Sequence, residues 1–231
     1  MKVIILAGGL GTRIMEETHD KPKPMVEIAG KPILLHIMDI YNKFIDCEFK
    51  IAAGYKIEVI QKFIRSVKYN VEVIDTGELT GTAGRIKKIM DMYPMDSFMA
   101  TYGDGLADIN ISMLLDFHNS HNKLATVTAV RPVARFGKLK IVDGVVVDFA
   151  EKSQSDEGWI NGGFFVFKPD VKNYILDEMD MFEHSPLRNL SADGQLMAYS
   201  HEKFWQPMDT LRERNDLEIL VRNKKAPWLD I

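Results

Sequence analysis

The sequence has a single cysteine, Cys47, so no disulfide can form within the chain. A lone thiol with no evident base beside it reads as a structural group in a reducing compartment. Long apolar runs are also missing. The stretch that begins at Met1 stops at Gly8, short of the roughly 7–15 apolar residues and cleavage site of a secretory leader. No segment approaches the roughly 18 apolar residues of a membrane span. Nor is there an excess of one charge: 29 Lys and Arg stand against 33 Asp and Glu, a net charge of -4. Without a basic run the chain has no footprint for nucleic acid, and any phosphate must be recognised by a local pocket. There is no internal repeat, low-complexity segment or Pro/Gly/Ser linker. These absences lead to the expectation of a soluble, cytoplasmic protein of one domain, with neither nucleic acid nor membrane as partner.

The 231 residues, 46% of them hydrophobic, suffice for a core that buries roughly 70% of the unfolded surface without a structural metal. Residues 3–7 form an apolar run rich in β-branched side chains, the pattern of a strand covered on both faces. Helical spacing follows over 31–44, a second buried strand over 49–53, a helix over 57–67, a strand over 71–74, a helix over 82–92 and a strand over 97–101. This alternation predicts an α/β fold: a doubly wound, mostly parallel sheet with right-handed crossovers. After a helix over 111–121 the texture changes. Strands at 125–130, 138–142, 145–149 and 163–167 lie close together, with Asp143-Gly144 as a hairpin turn. Helices are expected over 171–180, 187–192 and 211–223. The sheet is therefore mixed, with residues 1–122 forming one half, 123–221 the other, and 222–231 a tail in which Trp228 either docks or stays loose.

Gly8, Gly9 and Gly11 follow the first strand directly. Small residues let backbone N–H groups approach a bulky anion, and strand-end loops are where open α/β sheets bind ligands. Arg13 adds a planar fork suited to phosphate. The loop is not a P-loop, since no Gly-Lys-Ser/Thr follows. It is not a clean dinucleotide fingerprint either, because Ile14 stands at the third glycine position. Further on, Pro22 and Pro24 hold Lys21 and Lys23 in an extended segment that places both on one side.

Two aspartates stand out. Asp104, between Gly103 and Gly105, ends an apolar strand and aims into the cleft above the sheet. Asp209 comes more than a hundred residues later. Magnesium is commonly held by one or two carboxylates plus substrate phosphates, which two distant aspartates satisfy. A helix cap ahead of 211–223 is the other reading of Asp209.

Leu6-Ala7-Gly8-Gly9-Leu10-Gly11-Thr12-Arg13, followed by Lys21-Pro22-Lys23-Pro24-Met25, resembles the signature of the sugar-phosphate nucleotidyltransferases, a family with a Rossmann-like fold. The resemblance covers nearly the whole chain. It is strongest to the branch that uses CTP and glucose 1-phosphate, through Thr101–Gly105, Arg135-Phe136-Gly137, 160–166, 204–212 and Lys225-Ala226-Pro227-Trp228. The resemblance implies a nucleotide site made of Leu6, Ala7, Gly8, Gly9, Gly11, Thr12, Arg13, Lys23, Gly81, Thr82 and Asp104. In it Arg13 and Lys23 are catalytic, on the leaving β- and γ-phosphates and on the α-phosphate respectively. It implies Mg²⁺ on Asp104 and Asp209, and an acceptor site made of Tyr102, Gly103, Glu151, Lys152, Asn161 and Gly162. The implied partners are CTP, a phosphorylated small-molecule acceptor and, in a homo-oligomer, further copies of the chain. Two departures stand against the pattern: Ser153 replaces a common proline after Lys152, and a longer insertion of those enzymes is missing between 64–69 and 71–77. A nucleotide sensor without turnover and a dinucleotide-dependent oxidoreductase are the rival readings.

Overall fold

The structure, a computed structural model, describes residues 1–132, 138–150 and 158–230. Glu151, Lys152, Ser153 and the Arg135-Phe136-Gly137 motif lie outside the described residues. The first apolar run forms strand β1 (Lys2–Ala7). Successive side chains of a strand point to opposite faces. Val3, Ile5 and Ala7 accordingly join one core cluster while Ile4 and Leu6 join another. With a core on each side, no position of β1 after Lys2 is left for a polar residue, hence the unbroken run over 3–7.

Helix α1 (Met15–Thr18), strands β2 (Glu27–Ile28) and β3 (Lys31–Pro32) and helix α2 (Ile33–Asn42) lead to β4 (Glu48–Ala53). Next come α3 (Ile57–Ile64), β5 (Val71–Asp75), α4 (Thr82–Met92) and β6 (Phe98–Tyr102). Strands β4 and β6 flank β1 and β5 pairs with β4, all parallel. Helix α2 buries Ile33, Leu34, Ile37, Met38 and Tyr41 with Val3 and Ile5. Helix α4 buries Ala83, Ile86 and Ile89 with Ile4 and Leu6, on the other face. This is the doubly wound arrangement.

Beyond β6 lie β7 (Gly105–Ala107), α5 (Ile111–Asn119), β8 (Ala125–Val130), β9 (Lys138–Val142), β10 (Val145–Ala150) and β11 (Ile160–Phe167). They are followed by α6 (Ser185–Ala192), β12 (Leu196–His201), β13 (Trp205–Pro207) and α7 (Leu211–Arg222). Strand β11 runs antiparallel between β6 and β8, and β12 adds a parallel edge. The seven-stranded order is β12-β8-β11-β6-β1-β4-β5, mixed but mostly parallel. The β9–β10 hairpin is a separate ladder. Asp143 and Gly144 turn it with φ of +49° and +81°, the left-handed pair that a two-residue hairpin turn needs.

Three expectations are corrected. The helix over 171–180 is a 3₁₀ segment, Pro169–Tyr174, that then opens out. Its aspartates compete with the helix for backbone donors: Asp180 accepts from the N–H groups of Leu176 and Asp177, and Asp177 from that of Met179. Strand β12 has no counterpart in the sequence reading; as a half-exposed edge it carries no clean alternation. Finally, the extended form of the lysine-proline segment ends at Pro22. Residues Lys23–Met25 make a 3₁₀ turn, and Lys21 turns away toward Glu17, 3.8 Å distant.

The C-terminal residues dock. Trp228 is buried, stacks on Phe204 with ring centroids 5.3 Å apart, and donates its indole N–H to His36 Nδ1. Cys47 is buried as well; burial pushes its thiol up to about 11, in keeping with a structural role.

Candidate active site

A cavity of about 500 Å³ opens where β1 and β6 end, between the glycine loop, the 78–82 segment and Asp209. Crevices at the carboxyl ends of strands are the general ligand position in this class of sheet. A second cavity of about 290 Å³ adjoins it, sharing Arg13, Thr82, Tyr102, Asp104 and Asp209 and reaching Gly162 and Trp205. Of the residues expected on the nucleotide, Leu6, Ala7, Gly8, Gly9, Gly11, Thr12, Arg13, Lys23, Thr82 and Asp104 line the first cavity, together with Tyr102 and Gly103.

Two of the loop glycines, Gly8 and Gly11, are required for different reasons. Gly11 has φ +64°, and a Cβ there would stand 3.2 Å from Lys23 Cβ. A Cβ on Gly8 would lie 2.0 Å from Arg85 Nη1. Arg85, which sequence reasoning passed over, is buried beneath the loop. Its guanidinium donates to the carbonyls of Gly8, Ala53 and Glu78 and to Thr76 Oγ1. Burial lowers its pKa, while Asp75 works in the opposite direction. One planar fork thus ties the ends of β1 and β4 to the 76–78 loop. Gly9, in contrast, has open space beside it.

Gly81 departs from its expected place. It is buried, its N–H donates to Glu178 O, and a Cβ would meet Asp180 O at 2.2 Å. Ala83 N likewise donates to Asp180 O. The small residues at the start of α4 therefore admit the 178–180 segment, whose carbonyls take up the N–H groups of Gly81 and Ala83.

The four charged groups converge. Lys23 Nζ donates to Asp104 Oδ2 and to Asp209 Oδ1, each at 2.6 Å, and Arg13 Nη1 reaches Asp209 Oδ2 at 2.6 Å. A small antiparallel ladder makes this possible. Strand β13 pairs with β7 so that Pro207 faces Gly105, and Met208 N donates to Asp104 O. The two aspartates, far apart in sequence, follow from that register. Asp209 is not the cap of α7. Thr210 is, in a capping box with Glu213, whose carboxylate also accepts from Asp209 N. The Asp209 side chain is thereby left for the cleft.

Burial is the largest influence on Lys23 and disfavours its ammonium, but Asp104 and Asp209 together outweigh it and raise the pKa. The Lys23 side chain is 11% exposed, against 71% for Arg13. An ion pair that open to water is weak, so Arg13 is held loosely and can turn to a ligand.

Of the residues expected on the acceptor, Asn161 reaches the cavity through Tyr102: its Nδ2 donates to the Tyr102 hydroxyl at 3.1 Å, and its Oδ1 accepts from Gly163 N. Gly162 lines the second cavity and its carbonyl accepts from the Trp205 indole at 2.8 Å. Burial, then Glu183, holds the Tyr102 phenol well above its ordinary pKa. Trp205 lies within the 204–212 stretch of the resemblance but without an implied role, and Glu183 had no motif to single it out.

Fold and cleft together define a nucleotide-dependent transferase of the α/β class. The sequence model of the nucleotidyl transferase family matches residues 2–231, and the chain belongs to that family. A glucose-1-phosphate cytidylyltransferase of Salmonella typhi is 45% identical, covering 99% of this chain and 98% of its own length. A probable glucose-1-phosphate cytidylyltransferase of Bacillus subtilis (strain 168) is 41% identical, covering 99% of each. Among solved structures, HddC from Yersinia pseudotuberculosis superposes with a TM-score of 0.75 at 23% identity, over 95% of this chain and 99% of its own, which supports the fold. The alignment to the Salmonella typhi enzyme spans 253 positions against the 231 residues of this chain, so that relative carries at least 22 residues with no counterpart here. Among the described residues no helix is long and apolar enough to cross a membrane.

Proposed function

We propose that this chain transfers the cytidylyl group of CTP to a sugar 1-phosphate, with glucose 1-phosphate the first choice, giving CDP-sugar and pyrophosphate. The observation that carries the reading is the ionic cluster: two cations and two carboxylates from distant segments meet at the mouth of the glycine loop. The 45% identity to a glucose-1-phosphate cytidylyltransferase supports the choice of base and acceptor.

In this reading the loop and Thr82 hold the nucleotide. Arg13, exposed and loosely paired, turns to the β- and γ-phosphates. Lys23, fixed by its neighbours, places its ammonium on the α-phosphate. Phosphoryl-type transfer leaves the protein little covalent work, so positioning and charge neutralisation carry the rate. An oxygen of the acceptor phosphate attacks the α-phosphorus in line, the bond to the bridging oxygen breaks, and pyrophosphate leaves. Tyr102, Gly103, Asn161 and Gly162 face the acceptor, with Glu151 and Lys152 assigned to it from the sequence. Residues 1–122 supply most of the nucleotide site and 123–221 most of the acceptor site.

Asp104 and Asp209 already direct one oxygen each at a single cationic atom. An all-oxygen pair of carboxylates, completed by phosphate and water, fits Mg²⁺. Bound there, Mg²⁺ would reduce repulsion between the two phosphates and favour the attacking oxygen. Among the described residues no third His, Cys, Asp or Glu joins the pair. A cytoplasmic location is part of this reading, and the lone buried thiol fits a reducing compartment. Ile141, Val142 and Val145–Val147 are exposed on the β9–β10 hairpin, which supports a homo-oligomer. The deciding experiment is a pyrophosphate-release screen of four nucleoside triphosphates against sugar and polyol phosphates with Mg²⁺. CTP with glucose 1-phosphate should give the highest kcat/KM; a clear preference for another pair would replace this reading.

A further inference from the structure

The geometry points to Glu183 as a residue that determines acceptor specificity by accepting a hydrogen bond from a hydroxyl of the sugar ring. This inference rests on the cytidylyl-transfer reading above. Glu183 lies just before α6, in a segment no motif marks, and its carboxylate lines the smaller cavity next to Tyr102 and Trp205. Both oxygens are fixed in place. Oε1 accepts from the Tyr102 hydroxyl and Oε2 from Thr82 Oγ1 at 3.0 Å. Thr82 Oγ1 in turn accepts from Phe182 N at 2.7 Å, and Tyr102 accepts from Asn161 at 3.1 Å.

The chain Asn161–Tyr102–Glu183–Thr82 therefore runs from the acceptor side to the start of α4, where the nucleotide cavity begins. An ionised carboxylate has about four acceptor positions, and among the described residues these two bonds occupy two. The rest are exposed to solvent in the cavity, since Glu183 is an exposed residue. A carboxylate held rigid by two donors and open on one side is suited to a neutral hydroxyl donor. It is unsuited to an acceptor phosphate, which must approach the cationic end at Arg13 and Lys23. The cavity is thus polarised, with cations where the phosphate reacts and an acceptor of hydrogen bonds where the sugar body lies. A site built to pair a hydroxyl discriminates strongly against an analogue that lacks it.

The test is a double-mutant cycle between enzyme and substrate. kcat/KM is measured for glucose 1-phosphate and its 2-, 3-, 4- and 6-deoxy analogues with wild type, E183Q and E183D, after melting curves have shown that each variant folds. Loss of one hydrogen bond to a charged group corresponds to about tenfold or more in kcat/KM. In wild type one deoxy analogue should carry that penalty. In E183Q the same penalty should shrink to below about threefold, and in E183D it should fall between the two. A general packing defect would lower all five substrates together and leave the ratios unchanged. Penalties identical in wild type and in the folded variant or variants would overturn the inference while leaving cytidylyl transfer intact. A wild-type enzyme inactive on glucose 1-phosphate would overturn the acceptor assignment and this inference together.

Discussion

Lys23→Ala separates the energetic from the catalytic role of the cleft. In the wild type its ammonium makes two charge-assisted bonds of 2.6 Å to Asp104 and Asp209. Such bonds contribute about 1.5–3 kcal/mol each before desolvation is counted. Burial opposes the ammonium here, and the Asp104 and Asp209 side chains are 30% and 21% exposed. The net loss of stability should therefore be near 2 kcal/mol, or about 4–8 °C in Tm for a chain of this size. The pKa of Lys23 is raised on folding, so its contribution is complete below the unfolded value near 10.4 and disappears only as pH rises through the folded one. The loss should thus be the same at pH 6 and pH 9. On the rate, removing one preorganised donor to developing charge costs about 10²–10³ in kcat. The loss should fall on kcat more than on the KM for CTP, because the charge on the α-phosphate grows during attack. Initial rates of pyrophosphate release at saturating CTP, alongside thermal melts at both pH values, give both numbers. A variant within threefold of wild-type kcat, or one altered only in KM, would refute the placement of Lys23 on the reacting phosphate.

Three other outcomes follow from particular contacts. Asp104→Asn and Asp209→Asn should each raise the Mg²⁺ concentration for half-maximal rate at least about tenfold, as loss of one of two charged ligands implies; an unchanged Mg²⁺ titration would remove the metal assignment. Gly8→Ala drives a methyl into the Arg85 guanidinium and should cost about 1–3 kcal/mol in a denaturant melt, whereas Gly9→Ala, with nothing near it, should melt like wild type but bind CTP more weakly by calorimetry. His36 is held neutral, its pKa lowered to about 4 first by burial and then by Lys31. Its folded pKa lies below the unfolded value near 6.5, so the unfolded chain binds the extra proton between those values, and stability falls by about 1.4 kcal/mol per pH unit as pH drops through that window. His118, also lowered to about 4, adds the same slope, and His121 is lowered as well, first by burial, so His36→Gln should remove the His36 share and leave that of the other two in melts from pH 6.5 to 4.5.

Much of the fold was legible because buried parallel strands leave a strong imprint. β1, β4 and β6 are apolar runs ended by small residues, and α2 and α4 show one apolar stripe each, matched to opposite faces of the sheet. The hairpin turn was legible in two residues, Asp143 and Gly144. What was not legible depends on partners far away in sequence. β12 is an edge strand whose pattern is set by its one neighbour, β8. Residues 171–180 carry helical spacing, but Asp177 and Asp180 satisfy the backbone locally instead. Gly81 is expected in the nucleotide site, but the 178–180 segment fills the space beside it. In the cleft, motif residues were legible by type. Arg85 and Glu183 were not, because their significance lies in the carbonyls, phenol and hydroxyl they meet.

The charges of the cleft make an argument of their own. Among the described residues, the two cavities are lined by Arg13, Lys23 and Arg85 on one side of the balance and Glu78, Asp104, Glu183 and Asp209 on the other. Among the described residues, three cations against four carboxylates give no net positive charge to meet a triphosphate and a phosphorylated acceptor. Arg85 is moreover fully engaged with backbone carbonyls and Thr76. Without a ligand, Lys23 and Arg13 neutralise Asp104 and Asp209; exposed Arg13 can turn away freely, whereas Lys23 can give its charge to a phosphate only if another cation replaces it on those carboxylates. A nucleotide arriving with its own divalent cation would meet that condition: Asp104 and Asp209 would hold the metal, leaving Lys23 and Arg13 for phosphate. In the proposed reading, the short β7–β13 ladder, by fixing Asp104 and Asp209 on either side of one lysine nitrogen, would favour a metal–nucleotide complex over the free nucleotide.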